Sequence, residues 1–280
     1  MTTAPVVVGV DGSAAALRAV DYAVDESRLR HRPLRVVYAD RWSEHPAWVD
    51  IIPGGPFSDP LAVEPHQVVQ HAMDRVAARP SVPVTGEVLP GHPGSVLVEE
   101  SRRAELLVLG FRAHGHLPGT VLSGAACPVL VVREAGNPSG HVLVGVNRSA
   151  ASDAAVGFAF EEAAMRGAPV LALHAWTGPV STGPGDMLPL VYDPGVVADE
   201  AGRALSEALA GWRAKYPEVP VDERLVRGHP GPALVAATAE ARLVVVGVHG
   251  HRAVPGWLVG SVTHLLLHQA HCPVAVIPVP

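Results

Sequence analysis

The chain has 280 residues, 48% of them apolar, and a formal net charge of −6 at pH 7. That is apolar material for two sizeable cores, and dispersed charge of this sign speaks against a dedicated nucleic-acid surface, which would need a basic patch. No uninterrupted apolar run is long enough to cross a bilayer, and the N-terminus Met1-Thr-Thr-Ala-Pro5 lacks the charged and apolar regions of a signal peptide, so cytoplasm is the expected compartment, with no membrane and no nucleic-acid partner.

Val6–Val10 is a short β-branched run and reads as a buried strand. Ser13 follows as a helix N-cap, and Leu17, Val20 and Val24 recur at helical spacing behind it. Leu34–Ala39 reads as a second strand, Asp40–Val63 as a proline- and glycine-bearing loop, and Glu64–Arg79 as a helix. A strand is expected over Val82–Leu89, a helix over Pro93–Arg103, a strand over Glu105–Leu109 and a last strand over Pro128–Arg133.

The pattern then begins again. Strands are expected at Val142–Val146, Pro169–His174, Val219–Val226, Leu243–Val246 and Pro273–Ile277. Helices are expected at Ala150–Arg166, Gly195–Tyr216, Pro230–Ala241 and Trp257–Gln269. In the longest of these, Leu205, Leu209, Trp212 and Tyr216 form an apolar stripe that reads as core. Alternating strands and helices predict parallel strands joined by right-handed crossovers, with both sheet faces covered. The fold class expected is therefore α/β, as two tandem domains, residues 1–135 and 140–280, around a linker at Glu134–Gly140 rich in glycine, proline and small polar residues.

The tandem is a repeat at residue level. Val6-Val-Val-Gly-Val-Asp-Gly-Ser13 answers to Val142-Leu-Val-Gly-Val-Asn-Arg-Ser149, Gly91-His-Pro-Gly94 to Gly228-His-Pro-Gly231, and Cys127-Pro-Val to Cys272-Pro-Val. The offset is 136 or 137 up to the glycines that end the fourth strand and 145 at the cysteines, so eight residues are missing from the first half between Gly110 and Cys127. In the second half, Gly247-x-x-Gly250, nine residues and then Gly260-Ser261 form a glycine loop that opens into a helix. Such a loop offers free N–H groups and a positive helix end to an anion. The shorter relative runs from Leu107 through Gly110 to Gly115. On spacing alone, a pair of tight turns remains the alternative.

Together these motifs resemble the universal stress protein family, over almost the whole chain. The resemblance rests on the Val-Gly-Val-Asp-Gly-Ser13 start, the Gly-x-Pro turn, the glycine loop and the Cys-Pro-Val entry to the last strand. It implies a five-stranded parallel open sheet flanked by helices in each domain, ATP as cofactor with or without Mg, and pairing through last strands. That pairing would be a pseudo-dimer within the chain, Val129–Val132 with Val274–Ile277, or a homodimer. By position it implies an adenine-nucleotide site at Asn147, Ala175, Gly247, Gly250, Gly260, Ser261 and Val262. In the first domain it implies a weaker set at Asp11, Ala39, Gly110, Gly115, Gly119 and Thr120. Setting Gly119-Thr120 against Gly260-Ser261 removes about four residues from the first domain's loop and four from the helix behind it. That shortening predicts nucleotide binding by the second domain and little or none by the first. Asn147 departs from the aspartate found at position 11.

Other features read as structure. His92 and His229 sit in turns, and His264 and His268 lie four apart on a helix surface. His114, His116, His249 and His251 have no partner set with metal-ligand spacing, so no metal is expected. Cys127 and Cys272 read as small buried hydrophobes, with no disulfide framework. Asp25-Glu26, Glu99-Glu100 and Glu161-Glu162 read as solvated helix faces. A P-loop NTPase is poorly supported, since the sequence has no Gly-x4-Gly-Lys-Ser/Thr and the single lysine, Lys215, is remote from any glycine loop. The leading expectation is a nucleotide-binding stress or signalling protein working through conformation or partners. The rivals are a ligand-free scaffold and a slow ATP-hydrolysing, self-phosphorylating or adenylating enzyme.

Overall fold

The computed structural model describes residues 3–41, 64–79, 82–111, 117–147, 149–177, 193–248 and 260–279. The chain forms two compact units that divide after Arg133. The first contains β1 (Val6–Val10), α1 (Ala14–Arg30), β2 (Leu34–Asp40), α2 (Pro65–Ala77), β3 (Val84–Pro90), α3 (Pro93–Ser101), β4 (Leu106–Gly110), α4 (Leu117–Gly124) and β5 (Val129–Val132). The second contains β6 (His141–Gly145), α5 (Ala150–Arg166), β7 (Val170–Trp176), α6 (Pro194–Lys215), β8 (Val221–Arg227), α7 (Pro230–Ala237), β9 (Ala241–Gly247), α8 (Ser261–Gln269) and β10 (Val274–Ile277). Among the described residues no helix is long and apolar enough to cross a membrane.

Each unit is a five-stranded parallel sheet. The strand order is β3-β2-β1-β4-β5 in the first and β10-β9-β6-β7-β8 in the second. The direction of winding reverses beside the first strand of each unit, between β1 and β4 and between β6 and β9. That reversal opens a crevice at the carboxyl ends of those strands, where open α/β sheets hold ligands. Inner strands are valine and leucine runs because helices bury both faces: Val6, Val8, Leu107, Val108, Val142, Val144, Val244 and Val245 are buried. The outer strands β3 and β8 are largely exposed and correspondingly polar, as in Val221-Asp-Glu-Arg-Leu-Val-Arg227.

The same local chemistry starts and stops the first helix of each unit. Ser13 Oγ accepts from Ala16 N–H and Ser149 Oγ from Ser152 N–H, both at 3.2 Å. Each helix ends on a left-handed residue, His31 at φ 53° and Gly167 at φ 57°. Two carboxylates expected on solvated faces lie inside instead. Glu26 and Glu162 are 2% and 1% exposed and pair one turn on with Arg30 and Arg166. Both arginines reach back along the helix, so the charge is buried with its partner rather than hydrated. The stripe on α6 divides: Leu205 and Leu209 are core, while Trp212 and Tyr216 are half-buried and pack against Phe160 with ring centroids 6.5 and 6.1 Å away.

The eight missing residues fall in one place. Helices α4 and α8 have eight and nine residues, so the helix is not a turn shorter in the first unit, contrary to the expected alignment. A Cβ built on Gly94 would lie 2.9 Å from Thr120 Cγ2, and one on Gly231 would lie 2.8 Å from Leu265 Cδ2. Thr120 and Leu265 are separated by the same offset as the two cysteines, so they are the equivalent pair. Six residues join β4 to α4 and thirteen join β9 to α8. The difference therefore lies almost wholly in the glycine loop.

Candidate functional site

In the second unit the crevice is a cavity of about 350 Å³, at the small end of the range for ligand pockets. Gly145, Val146 and Asn147 bring the end of β6 to it, Leu173 and Ala175 the end of β7, and Val246 and Gly247 the end of β9. Pro230 and Leu234 of α7 supply an apolar wall, and Gly260, Ser261, Val262 and Thr263 present the start of α8. Among the described lining residues none carries a charge.

The start of α8 is the positive end. Its cap, Gly260, has no side chain to bond the first turn, and His264 N–H closes the first helical bond on Gly260 O at 2.9 Å. The N–H groups of Ser261, Val262 and Thr263 are left without a protein acceptor among the described residues. Three such amides at a helix start, together with the helix dipole, are an arrangement that favours an anion.

Gly247 and Gly260 serve different ends. A Cβ on Gly247 would stand 2.2 Å from the carbonyl oxygen of Ala151, so the missing side chain lets α5 lie against β9. Gly110 repeats this with Ala15 O at 2.4 Å. At Gly260 no described residue lies within 4 Å and φ is −54°, so among the described residues neither packing nor backbone conformation demands glycine there. Among the described residues the space beside Gly260 is unfilled.

The opposite end of the cavity is polar. Asn147 Oδ1 accepts from Ser149 N–H at 2.9 Å and from Ser149 Oγ at 2.6 Å. Asn147 N–H donates to Ser152 Oγ at 2.8 Å. His174 Nδ1 lies 2.8 Å from Val146 O; a carbonyl only accepts, so Nδ1 carries the proton and steadies the backbone ahead of Asn147.

Asn147, Ala175, Gly247, Gly260, Ser261 and Val262 thus line one cavity, while Gly250 lies outside the described residues. In the first unit Asp11, Ala39 and Gly110 occupy the matching strand ends. Gly115, and with it His114 and His116, lies outside the described residues, as do His249 and His251. Gly119 and Thr120 stand inside the first turn of α4, and the 145-residue offset sets Gly115, not Gly119, against Gly260. Ser152 and Thr263 were missed from sequence. The signal for Ser152 was the repeat itself, since the matching residue of the first unit is Ala16.

Elsewhere, burial pushes the Cys127 and Cys272 thiols up to about 12. His92 caps α3, its Nδ1 accepting from Gly94 N–H at 3.3 Å, whereas His229 caps α7 without a side-chain bond.

A doubly wound α/β unit, used twice, with an amide-lined crevice at its switch point, defines the class of protein. The universal stress protein family model matches residues 3–133 and again 139–278, and the chain belongs to that family. A universal stress protein of Mycobacterium tuberculosis is 36% identical over 296 residues, covering 97% of this chain and 96% of its own. A second from the same organism is 32% identical over 313 residues, covering 100% and 96%. A crystal structure of a universal stress protein from Archaeoglobus fulgidus covers the whole of both chains with a TM-score of 0.73 and 18% identity, a likeness of fold.

Proposed function

We propose that the second unit binds a nucleotide, ATP in the reading the family resemblance implies, and that occupancy alters conformation or partner binding rather than serving rapid turnover. The observation that carries this is the uncharged cavity at the switch point, with the unbonded amides of Ser261, Val262 and Thr263 at one end and the polar pair Asn147 and Ser152 at the other. The phosphate tail goes to the amides, and the sugar and base reach toward Ala175 and Asn147.

The first unit, with six residues where the second has thirteen, is proposed to bind weakly or not at all. Titration of the full chain with ATP should give a stoichiometry of one, and mass spectrometry of nucleotide released from natively purified protein should identify the occupant. Gly250→Val should abolish binding. Two nucleotides per chain would overturn the asymmetry, and full affinity in the variant would move the site.

A further inference from the structure

The first strand of each unit ends on a short polar side chain that folds back onto the following helix, but the two residues show a ligand opposite faces. Asn147 Oδ1 accepts from two donors, Ser149 N–H and Ser149 Oγ. The direction of both bonds is fixed. A backbone N–H can only donate, and Ser149 Oγ already accepts from Ser152 N–H, which leaves its proton for Asn147. With both lone pairs of the amide oxygen engaged, what remains for a ligand is Nδ2, a donor of two hydrogens. Ser152 adds another donor: its hydroxyl accepts from Asn147 N–H and keeps its own proton to give. Both residues line the cavity. In the first unit the same places hold Asp11, an acceptor-only carboxylate with one oxygen on Ser13 N–H at 2.9 Å, and Ala16, which has no polar side-chain atom.

We infer that this end of the second unit's crevice reads an acceptor on its ligand, so that it takes 6-oxopurine nucleotides at least as readily as ATP. This rests on the nucleotide reading above, with the tail at α8, and takes the 6-substituent of the base, rather than its ring nitrogens or the ribose, to face Asn147. The 6-amino group of adenine is a donor. Facing Asn147 Nδ2 it meets another donor, and both must turn to water. The 6-carbonyl of hypoxanthine accepts there. An aspartate in that place reverses the preference, because it accepts from the amine and repels the carbonyl. Exchanging one made hydrogen bond for an unmade one changes affinity by roughly tenfold.

The test is calorimetric titration of the full chain with ATP and with ITP, at one salt and Mg concentration, for wild type, Asn147→Asp and Asn147→Ala. Wild type should bind ITP between equally and about tenfold more tightly than ATP. Asn147→Asp should move the ratio about tenfold toward ATP, and Asn147→Ala should remove any advantage of ITP without creating one for ATP. Wild type favouring ATP threefold or more, or a ratio unchanged in both variants, overturns the inference while leaving nucleotide binding intact. Wild type that takes up neither nucleotide brings down the nucleotide reading itself, and this inference with it.

Discussion

Replacing Gly247 by alanine should destabilise a fold that replacing Gly260 leaves nearly unchanged. At Gly247 the added carbon would sit 2.2 Å from Ala151 O, 2.5 Å from its carbonyl carbon and 2.9 Å from its Cβ. Two of those atoms are backbone of α5, so no rotamer change relieves the contact, and the helix must move off β9. Overpacking in a tight core costs about 1–3 kcal/mol, and contact with fixed backbone belongs at the upper end, about 3 kcal/mol. For a unit of this size that lowers the melting midpoint by roughly 6–12 °C. At Gly260 the same carbon meets no described residue within 4 Å at a φ of −54°. Its cost is the difference between two poor helix caps, under about 1 kcal/mol. Nucleotide affinity reads the other way: Gly260→Ala crowds the space beside the anion receptor and should weaken ATP binding by about tenfold or more, about 1.4 kcal/mol or more. Thermal melts followed by circular dichroism, with ATP titration of each variant, separate the two roles. A Gly247→Ala protein that melts with wild type would refute the packing argument. A Gly260→Ala protein with undiminished affinity would refute the assignment of the open space to the ligand.

Two further outcomes follow from buried titratable groups. Burial, and then the nearby charge of Arg224, holds the His141 imidazole below its usual value, and its Nε2 has no hydrogen-bond partner among the described residues. A depressed value in the folded state means that protonation favours unfolding: the contribution is complete above the unfolded value near 6.5 and is lost as the pH falls through it. Urea midpoints at pH 7.5 and 5.5 should differ by less in His141→Gln than in wild type; equal differences would discount the residue. Cys127 and Cys272, pushed up to about 12 by burial, should resist iodoacetamide at pH 8 in the native chain and react in urea. Native labelling at the rate of a free thiol would contradict their burial.

The repeat made the architecture legible. Once Val6–Ser13 and Val142–Ser149 are aligned, valine runs at matching places imply two parallel sheets, and their ends mark where a ligand belongs. Sequence was less informative wherever meaning depended on what lies across a gap in space. Gly110 and Gly247 read as phosphate glycines because a missing side chain is visible in sequence, but the helix backbone filling its place is not. Glu26 and Glu162 read as surface because each follows another acidic residue, Asp25 and Glu161; only the fold shows them turned inward onto Arg30 and Arg166. The deletion in the first unit was divided between loop and helix because no residue in that stretch anchors the alignment. The contact of Thr120 with Gly94, matched by Leu265 with Gly231, supplies the anchor. Ser152 went unnoticed because a serine near a helix start is ordinary, and its bond to Asn147 N–H exists only when the turn is folded.

Since both flanks of the variable segment are pinned in the same manner in each unit, by a glycine against the first helix and by a helix seated on its predecessor, the segment between them behaves as an exchangeable cassette. Its length can change without disturbing either sheet. Transplanting the thirteen-residue version into the first unit should then leave its five strands in place.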